Sequence, residues 1–83
     1  MTEKAELTNE IHVFGNSRST LSKREMDVLL LVKDGMSNPQ IGENLGLSAK
    51  TVENHVRSIL QKLGAKNRTE AVVLAIKNSF IEI

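Results

Sequence analysis

A chain of 83 residues has room for one small domain, and 40% apolar with 25% charged residues is an ordinary soluble, globular balance. The absence of cysteine excludes a disulfide framework and thiolate metal sites; two histidines without an acidic cluster argue against any metal, and no cofactor is implied. No apolar run is long enough to span a membrane and the start, MTEKAELTNE, has no signal-peptide layout, so the cytoplasm is the expected compartment.

The formal net charge of +1 is unevenly spread. Residues 1–20 hold Lys4 and Arg18 against Glu3, Glu6 and Glu10, whereas residues 48–68 hold Lys50, Arg57, Lys62, Lys66 and Arg68 against Glu53 alone. Charge gathered in that way suits a polyanion, although any single run of this kind is also what a solvated face looks like. Residues 1–20 surround one apolar cluster, Ile11, Val13 and Phe14, with Thr, Asn, Ser and Glu, and read as a flexible tail or the remnant of a linker. A domain is expected over 21–83.

The first helix, about 23–34, opens on the capping box Ser22-Lys23-Arg24-Glu25, with Leu21 and Met26 placed for a hydrophobic staple. Leu21, Val28, Leu29 and Val32 form its inward stripe, Leu30 and Leu31 widen the arc toward more than one neighbour, and Gly35 ends it. Asn38-Pro39 predicts a second helix over 39–45, Asn38 as N-cap and Pro39 as first helical residue, with Ile41 and Leu45 inward. Gly42 costs about 1 kcal/mol against alanine in a helix, which close approach of a neighbouring helix backbone would explain.

After the turn Gly46-Leu47-Ser48 the spacing predicts a third helix over 49–63, N-capped by Ser48 and stopped by Gly64. Val52, Val56, Ile59 and Leu63 fall at i, i+4, i+7 and i+11, one helical stripe; Lys50, Glu53, Asn54, Arg57, Ser58, Gln61 and Lys62 occupy the rest. Two helices joined by a tight glycine turn, the second polar outward at its start, describe a DNA-reading helix-turn-helix; periodicity alone fits an amphipathic helix in an arbitrary bundle equally well. Asn67-Arg68-Thr69-Glu70 caps a fourth helix over 68–78, in which residues 71–76 are all apolar. Such a helix should be covered on two sides: Ala71, Leu74 and Ala75 against its own domain, and Val72, Val73 and Ile76 against a second copy. An internal helix with a partly exposed apolar edge is the plainer alternative. The whole is all-α, four helices and no sheet.

Leu21-Ser22-Lys23-Arg24-Glu25, Val28-Leu29, Gly35-Met36-Ser37-Asn38, Ile41, Leu45, Thr51-Val52, His55-Val56, Ile59, Lys62-Leu63-Gly64 and Asn67-Arg68-Thr69-Glu70-Ala71 together resemble the LuxR-type helix-turn-helix domain of bacterial regulators. The resemblance runs from Leu21 to about Ile81. It implies a four-helix DNA-binding domain that reads the major groove of double-stranded DNA with its third helix, and homodimers formed largely through the fourth on closely spaced inverted half-sites. The sequence departs from the family at Gly42, where alanine is usual, and at Glu53, where many members carry Lys or Arg.

By position, Glu53, Asn54 and Arg57 are the base-reading candidates: arginine forks onto guanine O6 and N7, asparagine onto adenine, and glutamate accepts from cytosine N4. Asn38, Ser48, Lys50, Thr51, Lys62, Lys66 and Arg68 are the phosphate candidates, with the helix starts at Asn38 and Ser48 offering free N–H groups. For Arg68 the competing expectation is a salt bridge to Glu25 or Glu70, and for His55 a packed, hydrogen-bonded ring rather than a ligand. No catalytic set is present, because neither His12 nor His55 has a nucleophile or carboxylate at dyad spacing, and no enzyme is expected. The rival class is a protein-interaction module that docks on RNA polymerase or another regulator without reading DNA, a reading favoured only by Glu53.

Overall fold

The computed structural model describes residues 21–82, so the tail expected over 1–20 lies outside the described residues. Four helices follow: α1 (Lys23–Lys33), α2 (Asn38–Leu45), α3 (Ala49–Leu63) and α4 (Arg68–Lys77), with no strand among the described residues. α3 is central, packing on α1, α2 and α4; α1 also touches α2 and α4, whereas α2 and α4 do not pack on each other. Leu21, Val28, Leu29, Val32, Ile41, Val52, Ile59, Leu63, Ala71, Ala75 and Ile81 form one buried core, with Val56, Leu45, Val72 and Ile76 half-buried against it.

Each helix start is fixed by a side chain from the residue before it. Ser22 accepts from the Glu25 N–H while Glu25 Oε1 accepts from the Ser22 N–H at 2.9 Å, the reciprocal pair that its sequence predicts. The start of α2 differs from the expectation. Ser37, not Asn38, is the N-cap: its backbone is extended and its hydroxyl accepts from the Gln40 N–H, while Gln40 Oε1 accepts from the Ser37 N–H at 2.8 Å. Asn38 and Pro39 are the first two helical residues. Proline is tolerated there because the early N–H groups have no intrahelical acceptor anyway, and the Ser-x-x-Gln box outweighs the pressure proline puts on its predecessor.

The turn between α2 and α3 is closed by Gly46, whose left-handed φ of +74° favours glycine, and by the Leu47 N–H donating to the Gly42 carbonyl at 2.8 Å. That closure accounts for Gly42, and it corrects the expectation of a neighbouring helix backbone: a methyl group at residue 42 would collide with the Leu47 carbonyl oxygen of the turn itself. Gly42→Ala is therefore expected to destabilise the domain in spite of alanine's better helix propensity of about 1 kcal/mol. Overpacking against backbone costs roughly 1–3 kcal/mol. A thermal melt should show the midpoint several degrees lower, and a variant as stable as the parent would mean that the turn relaxes without loss.

α4 divides less simply than its sequence implies. Ala71 and Ala75 are buried against the core, but Leu74 is only half-buried, as are Val72 and Ile76. Val73 stands out at 46% exposed, and it and Leu30 are the exposed large hydrophobics among the described residues.

Candidate nucleic-acid interface

α3 presents three different sides because its residue types alternate with a helical period. Val52, Ile59 and Leu63 are buried and Val56 is half-buried on the side facing the core. Lys50, Asn54, Arg57 and Gln61, at i, i+4, i+7 and i+11, form the opposite, exposed stripe, with half-buried Glu53 beside them. The three base-reading candidates Glu53, Asn54 and Arg57 are thus neighbours on one solvent-facing surface. Glu53 is paired on both sides: Oε1 lies 3.5 Å from Lys50 Nζ and Oε2 lies 3.4 Å from Arg57 Nη2.

The helix start adds an acceptor-seeking corner. The Ser48 hydroxyl accepts from the Thr51 N–H and donates to Thr51 Oγ1, both at 3.0 Å, and the helical ladder begins with the Val52 N–H on the Ser48 carbonyl. The amides of Ala49 and Lys50 remain open at the positive end of the helix dipole. Lys66, in the turn after α3, is exposed and its backbone N–H donates to Glu70 Oε1 at 2.6 Å.

The third side of α3 was not foreseen. Ser58 and Lys62 turn back toward α1 rather than joining the reading stripe: the Ser58 hydroxyl donates to Glu25 Oε2 at 2.7 Å and Lys62 Nζ donates to Glu25 Oε1 at 2.9 Å. Glu25 is only 6% exposed and holds both of these together with the Ser22 N–H. Burial pushes its carboxyl up; the Ser22 amide, the Lys62 ammonium and the Ser58 hydroxyl act against that and leave it below the usual carboxylate range. Lys62, expected on phosphate, is therefore engaged inside the domain. The capping box had already accounted for Glu25, which hid its second task; the i, i+4 spacing of Ser58 and Lys62 on one flank of α3 was the available signal.

Arg68 and Asn38, expected separately on phosphate, are brought together. The Arg68 guanidinium donates to the Asn38 side-chain oxygen and to the Met36 carbonyl, bridging α4 to the start of α2 where the helices themselves do not pack. This replaces the salt bridge to Glu25 or Glu70 considered for it. His55 is half-buried and its ring makes no hydrogen bond among the described residues, contrary to the bonded ring expected.

No group of acidic, cysteine or histidine side chains among the described residues could hold a metal ion, and no described helix is long and apolar enough to cross a membrane.

The family described as bacterial regulatory proteins, luxR family, matches residues 19–75. Transcriptional regulatory protein DegU of Brevibacillus brevis is 52% identical over 63 residues, which are 76% of this chain and 27% of that protein. LiaR of Bacillus subtilis, also a transcriptional regulatory protein, is 42% identical over 62 residues, 75% of this chain and 29% of its own length. Among solved structures, the response regulator ChrA of a heme-sensing two-component system superposes with a TM-score of 0.71 at 39% identity, covering 74% of this chain and 30% of that one. The transcription factor GerE gives 0.67 at 32% identity, covering 71% of this chain and 88% of that one. This chain spans less than a third of the length of the DegU and LiaR relatives. On the extent of the family match, and on a fold shared with GerE, the chain belongs to the luxR family of bacterial regulatory proteins and carries its helix-turn-helix DNA-binding domain, not an enzyme.

Proposed function

We propose that this domain is the sequence-specific reader of a transcription regulator, that α3 enters the major groove, and that two copies pair along α4 on closely spaced inverted half-sites. The observation that carries the reading is the exposed stripe of α3, where Asn54 and Arg57 offer forked hydrogen bonds beside Glu53 on the side opposite the buried core. Ser48, Lys50 and Thr51 around the open amides of the α3 start, with Lys66 past its end, are the phosphate group. Lys62 and Arg68 already give donors to partners inside the domain, whereas Asn38 accepts through its side-chain oxygen and keeps its amide NH2 for a phosphate. Val72, Val73 and Ile76 form the proposed seam, with Val73 the most exposed of the three.

Selection of bound sequences from a random duplex pool tests this directly, because it returns half-site, spacing and symmetry together. Mobility shifts at two salt concentrations accompany it: displacement of counterions makes DNA binding weaken steeply with salt. Binding without that dependence, or a pool that returns no preferred sequence, would transfer the domain to protein docking. Arg57→Ala should relax preference at one base position and cost about 1–3 kcal/mol on the selected site, while leaving random duplex less affected. An equal loss on both would place Arg57 on phosphate.

A further inference from the structure

At the far end of α3 the sequence points to Lys62 as a phosphate contact, and the structure withdraws it. Lys62 Nζ donates to Glu25 Oε1 at 2.9 Å, and its side chain is only 33% exposed. Releasing it leaves the nearly buried Glu25 carboxylate without its cation, at greater cost than one phosphate contact returns. Among residues 58–63, the last six of the helix, Gln61 is the exposed one. Its side-chain amide makes no hydrogen bond among the described residues. It stands four residues after Arg57 and seven after Asn54, on the same exposed stripe. The Gln61 and Leu60 carbonyls accept from the Gly64 and Ala65 N–H groups at 3.3 and 2.9 Å, so they are covered where an anion would approach.

We propose that Gln61 is the phosphate contact at this end of α3, a neutral amide donor to the duplex backbone in the place that Lys62 leaves. This rests on the reading of α3 as the DNA-contacting helix. From Lys50 to Gln61 the stripe runs about 16 Å along the axis, against a major-groove width of roughly 12 Å. A straight helix whose first turns reach base edges has met the phosphate wall of the groove by that point. Glutamine is one of the side chains that bond phosphate oxygens, through its amide N–H. A neutral donor fixes register without neutralising a phosphate, so it adds affinity on every sequence and nothing to the salt dependence. That dependence falls to the exposed cations, among them Lys50 at the start of α3 and Lys66 past its end.

The test titrates Gln61→Ala and Gln61→Lys beside the parent over a range of salt. Two probes are used, the duplex recovered from the random pool and a random-sequence duplex of equal length. Residue 61 is exposed and both replacements favour helix, so circular dichroism should match the parent. Gln61→Ala should weaken both duplexes by the same factor, about three- to tenfold, and return the same preferred sequence from the pool. It should leave the slope of log affinity against log salt unchanged, whereas Gln61→Lys should tighten both duplexes and steepen that slope by about 0.9. A loss confined to the selected duplex, or a changed base preference in the pool, would make Gln61 a base reader and overturn the proposal. So would full affinity in Gln61→Ala, or a slope that lysine leaves unmoved, since either sets residue 61 away from the duplex. If the parent itself binds duplex without a steep salt dependence, the DNA reading of α3 fails first and this inference with it.

Discussion

Glu25→Ala should lower the stability of the folded domain by about 2–3 kcal/mol, seen as a drop of roughly 10–20 °C in the thermal midpoint. One carboxylate holds the amide that starts α1 and two side chains of α3, so its removal releases three donors at a seam between the helix that begins the domain and the helix that is its centre. Breaking a buried pair by deleting one partner costs roughly 3–5 kcal/mol when the remaining charge is sealed from water. Lys62 is 33% exposed and recovers part of its hydration, which places the expectation at or below the low end of that range. Lys62→Met should cost less, because Glu25 keeps the Ser22 amide and the Ser58 hydroxyl. A loss under about 0.5 kcal/mol for Glu25→Ala, the level of a surface substitution, would show that the network is ornamental.

The same carboxylate gives the domain a pH dependence of defined sign. Its pKa in the folded state lies below the ordinary value of 4.5, so the folded form binds its proton less readily than the unfolded chain does. The stabilisation is fully present above the unfolded value and is lost as pH falls through the lower folded one. Thermal melts of the parent between neutral pH and pH 3 should show an acid limb to which this group contributes. In Glu25→Gln that contribution is absent and the limb is shallower. An identical acid limb in both proteins would mean that other carboxylates set it.

These outcomes mark where the sequence was legible and where it was not. Helix starts were readable because a cap is a local device: Ser22, Ser48 and Asn67 each bond an N–H three residues ahead, and the pattern needs no tertiary knowledge. At Ser37 the same signal was present in Gln40, but Pro39 drew the assignment one residue late. Inward stripes were readable for the same reason, as Val28, Leu29, Ile41, Val52 and Ile59 show by being almost wholly buried. Polar residues on α3 were harder. Periodicity separates apolar from polar, but it does not tell a polar residue facing solvent from one facing a carboxylate 33 or 37 positions earlier in the chain. Ser58 and Lys62 could be sorted from Asn54 and Arg57 only once α1 was in place. Arg68 illustrates the same limit: its partners, the Met36 carbonyl in the connection before α2 and the side chain of Asn38 at the first position of α2, offer no complementary charge to read.

Val73→Glu should leave the fold intact and abolish pairing between two copies. Val73 is 46% exposed, so glutamate at that position displaces few contacts within one copy; the residues that anchor α4 are Ala71 and Ala75, both buried. Val73 lies on the rim of a groove of about 330 Å³ whose apolar walls are Val32, Met36 and Val72, a shape that can receive a side chain from a facing helix. A two-fold axis brings like residues near one another, and glutamate there sets two negative charges across the seam. A pair of short helices covers far less than the roughly 1,600 Å² of a stable interface, so self-association in solution should be weak and DNA should supply most of the effective concentration by holding both copies on adjacent half-sites. The substitution should therefore remove about two orders of magnitude of affinity for the full inverted repeat and bring it down to that of a single half-site. Circular dichroism and sedimentation, run beside the binding titration, separate the cases. A folded variant that still pairs, and still prefers the full repeat, would move the seam away from α4. Leu30, at 38% the other exposed large apolar side chain among the described residues, would be the next position to charge. A variant that loses its helicity would show instead that Val73 supports the core through Val72 and Val32, and that the apolar run of α4 is an internal feature of one copy.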